Sequence, residues 1–359
     1  MIIKKSLINE FLVVLMALIL ILSQTTLNFT QALLELTLIF LLAFLLFKRK
    51  LELWEISLLL TIIITQLMSM LIYDSSFYSV ILNTKVAGVA FLSLLYFKDN
   101  ATSSVSMKLF FVVCLSLVLI QHFITSEFPV PIPQSLIKSL SIYEHPQPLG
   151  LFLNFHTSAY FLAIYFIGIN LTRKLFFIDL IILWLMAVRT SFLALVGQKI
   201  FTFAGKRFYI FKKASVQITL VIVGVLLLLT VMLPLFFSFM EMLGMSGGRT
   251  SIIMARLIMN PDVYLDALSY LPVDYDLHLQ SHIYDTGISQ DGNESALISV
   301  MIIFGTPIAL IFFYLMLKLT PSFRVFILLT LLHFAAILNP LIIYLVFMFE
   351  NNQRQIKEE

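Results

Sequence analysis

Long apolar stretches separated by short polar turns fill nearly the whole chain. Runs long enough to cross a bilayer, or nearly so, lie at about 11–27, 31–47, 53–72, 78–97, 107–124, 151–169, 175–188, 191–205, 215–239 and 294–317. A helix needs ~20 such residues to cross a hydrocarbon core of ~30 Å. The runs are continuous and do not alternate, which excludes a transmembrane β-barrel. The last run, 322–349, is too long for one helix and contains Asn339-Pro340. Proline removes a helical hydrogen bond and crowds the preceding turn, so the pattern predicts a break there. The expected fold class is an all-α polytopic membrane protein, one integral membrane domain over 1–359 with about twelve transmembrane helices.

Charge supports that count. With the N-terminus in the cytoplasm, alternate loops collect all but six of the 23 basic residues. The exceptions are Lys85, Lys138, Arg189, Lys199, Arg249 and Arg256. Cytoplasmic loops concentrate Lys and Arg, so this bias places both termini inside and splits the chain near 188–191. Arg189 then sits where two spans meet at the outer face. The first run follows Lys4 and Lys5 but lacks a small-residue cleavage site, so it reads as a retained span. Two outer segments interrupt the spans. Residues 125–150 form a proline-rich loop (FPVPIPQ, then HPQP). Residues 240–293 form a large loop with a short amphipathic helix, which SGG opens and Asn260-Pro261 ends.

Composition narrows the class further. The chain is 60% hydrophobic and 12% charged, against ~25% charged in soluble domains. Its single cysteine, Cys114, excludes an internal disulfide framework. The net charge of +3 comes from loop lysines and arginines and does not point to nucleic acid. All six histidines and most acids fall in outer loops or at outer span ends, so chemistry is expected on that side.

Four groups of residues could carry it. Arg189 lies within the apolar stretch WLMAVRTSFLAL, where an arginine costs a few kcal/mol unless it snorkels or meets a partner. A planar guanidinium suits an anionic, phosphate-bearing ligand, and Arg249 and Arg256 stand on the same side. In PLGLFLNFHTSAYF, Asn154 and His156 enter a span together. They are either interhelical hydrogen-bonding groups or a base and an orienting group. The stretch VDYDLHLQSHIYDTGISQDGNES holds Asp274-x-Asp276, His278-x-x-x-His282 and Asp285. That is either a metal or polar substrate site or a solvated acidic loop. Glu294 stands at the lip of the next span, as a pocket acid or an interfacial residue. Walker-type, dinucleotide-binding and nucleophilic-serine motifs are absent.

Taken in order, these stretches resemble the O-antigen polymerase and ligase family. GLFLNFHTSA (150–159) is similar to its Gly-x-Phe stretch leading into a polar pair. WLMAVRTSFLAL is similar to its arginine-bearing span end. GGRTSII (247–253) is similar to the Gly-Arg that opens the large periplasmic loop, and GNESALISVMIIFGTPIAL (292–310) to the segment that closes it. The resemblance runs from about residue 140 to the end. Asn293-Glu294 stands where ligases carry a histidine, which favours the polymerase.

The resemblance implies a metal-independent, cofactor-free inverting glycosyltransferase of the C-type membrane fold. Its substrates would be undecaprenyl-diphosphate-linked oligosaccharides, joined at the periplasmic face of the bacterial inner membrane. It implies catalytic roles for Arg189, Arg249, His156 and Glu294, and substrate binding by Arg256, Asn154, His282 and Asp285. The lipid bilayer and a chain-length regulator are the implied partners. A ligase acting on lipid A core and a lipid-linked oligosaccharide flippase are the alternatives. The lopsided 240–293 loop and the lack of an internal repeat count against the flippase.

Overall fold

Glycines and prolines decide where the apolar runs become helices. The computed structural model describes residues 28–48, 51–73, 77–100, 105–123, 150–152, 155–169, 176–185, 189–227, 269–272, 296–331 and 336–358, with a few positions between 11 and 22. Among these residues all regular structure is helical and there is no strand, so the chain is an α protein. The helices are α1 (Asn28–Lys48), α2 (Leu53–Ile72), α3 (Phe77–Asn100), α4 (Val105–Phe123), α5 (Phe155–Ile169) and α6 (Phe176–Leu185). After them come α7 (Arg189–Arg207), α8 (Ala214–Leu227), α9 (Ala296–Phe304), α10 (Thr306–Leu319), α11 (Arg324–Thr330) and α12 (Pro340–Glu358). Of the described helices, α2 alone is by itself long and apolar enough to cross a membrane. Thr306–Leu319 and Pro321–Thr330 pass that test only together, bent by 101°.

Asn339-Pro340 starts α12, at the position the sequence predicts. The Leu341 N–H donates to Asn339 Oδ1 at 3.0 Å, and Pro340 occupies the first helical position, where a missing N–H costs nothing. The run at 294–317, by contrast, predicts one span and the structure contains two helices, α9 and α10. Gly305 between them has φ 75°, a left-handed conformation open to glycine, and Pro307 follows. Pro307 has no N–H for the Ile303 carbonyl; the Gln66 amide donates to that carbonyl instead, at 2.6 Å. The bend after α10 repeats this device. Pro321 leaves the Leu317 carbonyl without its helical donor, and Arg324 Nε supplies one at 2.8 Å.

The chain forms two compact units. The first comprises 1–55, 89–199 and 336–359. Helix α5 is its centre: Tyr160, Phe161, Leu162, Ala163 and Ile164 are all 0% exposed, so every face of the helix is covered. It packs on α4, α6 and α12. Phe111 stacks on Tyr165 at 4.0 Å between centroids, and Phe349 meets Tyr165 edge-on at 5.2 Å. At Gly168 an added Cβ would lie 2.3 Å from the Phe349 ring, so glycine is what admits that ring. One polar corner ties three helices together. Glu55, 0% exposed, pairs with Lys98 at 2.8 Å, while its other oxygen accepts the Glu52 N–H at 3.0 Å and caps α2. Asn351 of α12 reaches the carbonyls of Phe97 and Lys98.

The second unit comprises 56–88 and 200–335. In it α8 packs on α11, and α9 on α10. Residues 269–272, which the sequence assigns to the large outer loop, lie against the α9–α10 break. The Thr306 N–H donates to the Ser269 carbonyl at 3.0 Å, and Ser69 Oγ–H donates to the Pro272 carbonyl.

Candidate functional site

The polar cluster among the described residues that includes a sequence-predicted site residue is at the start of α5. Gly150 turns the chain ahead of that helix with φ 65°. Its N–H donates to Gln121 Oε1 at 2.8 Å, and Gln121 Nε2 donates back to the Gly150 carbonyl at 3.4 Å. A side-chain amide thus completes both backbone groups of a buried turn, as a neighbouring strand would. The fit leaves no room for a side chain at Gly150. A Cβ there would lie 2.9 Å from Ser158 Oγ and 3.0 Å from Cys114 Sγ. Two residues on, Phe152 is buried edge-to-face against Phe161 at 5.3 Å.

This clamp fixes where α5 begins, and His156 is the second residue of that helix. The imidazole is half-buried with Nδ1 enclosed, and Thr157 and Ser158 beside it are buried. An imidazole held at the head of a packed helix can orient a hydroxyl or, when neutral, accept a proton.

Arg189 is the first residue of α7 and α6 ends at Leu185; residues 186–188 between them lie outside the described residues. The other predicted site residues (Arg249, Arg256, Asn154, Glu294, His282 and Asp285) lie outside the described residues, as does the Asp274/Asp276/His278 pattern. Among the described residues no three His, Cys, Asp or Glu side chains form a group able to hold a metal.

Sequence reasoning missed Gln121. It ends an apolar run, and its partner Gly150 is 29 positions away, so no local pattern links them. Gln66 and Ser69 were missed for the same reason. They are isolated polar residues in α2, whose backbone partners at Ile303 and Pro272 are more than 200 positions distant.

No family model, no curated protein and no solved structure matches this chain.

Proposed function

We propose that this protein is a membrane-embedded polysaccharide polymerase of the bacterial inner membrane. It joins undecaprenyl-diphosphate-linked oligosaccharides at the periplasmic face by inverting glycosyl transfer. The membrane part of the reading is supported by the outward faces of the helices. On α2, Leu53, Leu60, Ile63, Ile64, Leu67, Leu71 and Ile72 are all exposed, a stripe that water would penalise and lipid accepts. About twelve spans with both termini inside is the topology the basic residues favour.

The observation that carries the reading is the ordered series of motifs from Gly150 to Gly305. Its first member coincides with the clamped turn that sets His156. In this mechanism His156 or Glu294 accepts or orients the acceptor hydroxyl. Arg189 and Arg249 face the diphosphate, and their charge acts most strongly as the leaving group gains charge. Arg256, Asn154, His282 and Asp285 hold the donor and acceptor sugars. The 240–293 loop closes over them while the polyprenyl chain stays in lipid.

Deletion of the gene in the parent bacterium tests the reading through its surface glycan. The expected product is a single repeat unit on the acceptor lipid. Accumulated lipid-linked polymer would mark a ligase instead, and monomer retained on the inner leaflet a flippase.

A further inference from the structure

The break between α9 and α10 gathers neutral oxygens, and one of them, Gln66 Oε1, is buried without a donor among the described residues. Gln66 is 1% exposed and its Nε2 is committed to the Ile303 carbonyl. Its Oε1 is buried with no hydrogen-bond partner among the described residues. The amide cannot gain by flipping, because that would set Oε1 against the Ile303 oxygen. Ser69, one turn along α2 and 2% exposed, gives its hydroxyl hydrogen to the Pro272 carbonyl, so towards any further ligand Ser69 Oγ is an acceptor too. The last turn of α9 directs carbonyls at the same break, carrying the negative end of its dipole. Gly305 lets the 269–272 backbone approach closely, since a Cβ there would lie 2.6 Å from the Tyr270 carbonyl oxygen.

A buried acceptor without a donor, set among further oxygens, calls for a donor-rich or cationic occupant. Among the described residues of this unit there is no Asp or Glu, and the oxygens gathered at the break are neutral amide, hydroxyl and carbonyl groups. That suits a single positive charge and not a divalent ion, which draws on carboxylates. Interrupted helices offer such neutral oxygens to monovalent ions at membrane depth. We propose that the α9–α10 break binds a small monovalent cation through Gln66 Oε1, Ser69 Oγ and the carbonyls of Ile303, Pro272 and Tyr270. This site stands apart from the glycosyl-transfer reading and does not depend on it.

The test is thermal unfolding of the purified full chain in lipid nanodiscs, in sodium, potassium or choline chloride at one ionic strength. One alkali cation should raise Tm saturably over choline. Gln66→Leu should abolish that difference, and Ser69→Ala should raise the half-saturating concentration several-fold. Gln66→Glu should lower it about tenfold by adding a full charge to the same position. Equal Tm of the unsubstituted chain in all three salts overturns the proposal and assigns the Gln66 acceptor to water. An alkali effect that survives Gln66→Leu overturns it as well, by placing the ion elsewhere. Should Gln66→Leu fail to fold, Ser69→Ala and Gln66→Glu decide, and unchanged half-saturation in both overturns it.

Discussion

Gly150 and Gln121 make one device, and each can be broken separately. Gly150→Ala sets a side chain at φ 65° and drives its Cβ to within 3.0 Å of Cys114 Sγ. Left-handed strain and overpacking together should destabilise the protein by about 2 kcal/mol. Gln121→Leu keeps the volume but strands the Gly150 N–H and carbonyl, with a loss of about 2 kcal/mol. Thermal unfolding of the purified variants checks both; a Gln121→Leu protein as stable as the parent would mean that the turn needs no clamp. Under the proposed function the same variants should also shorten surface polymer by displacing His156. Arg189 belongs to this scale as well. Lysine keeps its charge and loses the planar fork, so Arg189→Lys should be impaired and Arg189→Ala nearly inactive at normal membrane abundance. Arg249 should behave likewise, and Arg256 less severely. Full-length polymer from a well-expressed Arg189→Ala would reduce the residue to a snorkelling arginine. His156 was legible in the sequence because a histidine stands out in an apolar run. Gln121 was not, because a lone glutamine at a span end looks like any interfacial residue until the fold supplies its partner.

Elements are held in place by polar groups that stand in for lost backbone donors or pin helix ends. The corner joining α2, α3 and α12 is the most consequential. Lys98→Met leaves the Glu55 carboxylate buried without its Lys98 partner, which should cost about 3–5 kcal/mol. Glu55→Leu combined with Lys98→Met removes both charges and should recover most of the loss. Denaturant unfolding of the two single variants and the double variant measures the coupling. Additive losses would show that the 2.8 Å pair contributes nothing of its own. At Gly168 the packing of α5 on α12 should respond to volume: Gly168→Leu destabilises, and Phe349→Ala in the same chain relieves it. Helix ends were partly legible. Asn339-Pro340 announces its cap because an amide side chain and a proline in that order have one common use. The break at Gly305 did not show, because hydropathy runs through it undiminished and only φ and the displaced carbonyl betray it.

At the scale of the whole molecule, hydropathy reads helix content well and side of the membrane only through charge. That the chain is an α protein followed from continuous apolar runs; the depth and direction proposed for each helix rest on where the lysines and arginines gather. The proposed reaction carries a further expectation, metal independence: there Arg189 and Arg249 supply the positive charge, so polymer length should be unchanged by a divalent-ion chelator. Loss on chelation with rescue by a divalent ion would promote Asp274, Asp276, His278 and His282 to ligands. The topology itself can be tested with single cysteines at Ser104, Ser246 and Ser281. The native Cys114 is 0% exposed, so it adds little background. If the basic loops lie inside, an impermeant thiol reagent applied to intact cells, with the outer membrane made porous, should label positions 246 and 281 and spare 104. Position 104 should react only once the inner membrane is opened. Each site follows from the same loop count, so one misplaced break would invert everything beyond it. Labelling at 104 in sealed cells, or protection at both loop positions, would therefore reverse the sides assigned to His156 and Arg189, and with them the face proposed for glycan assembly.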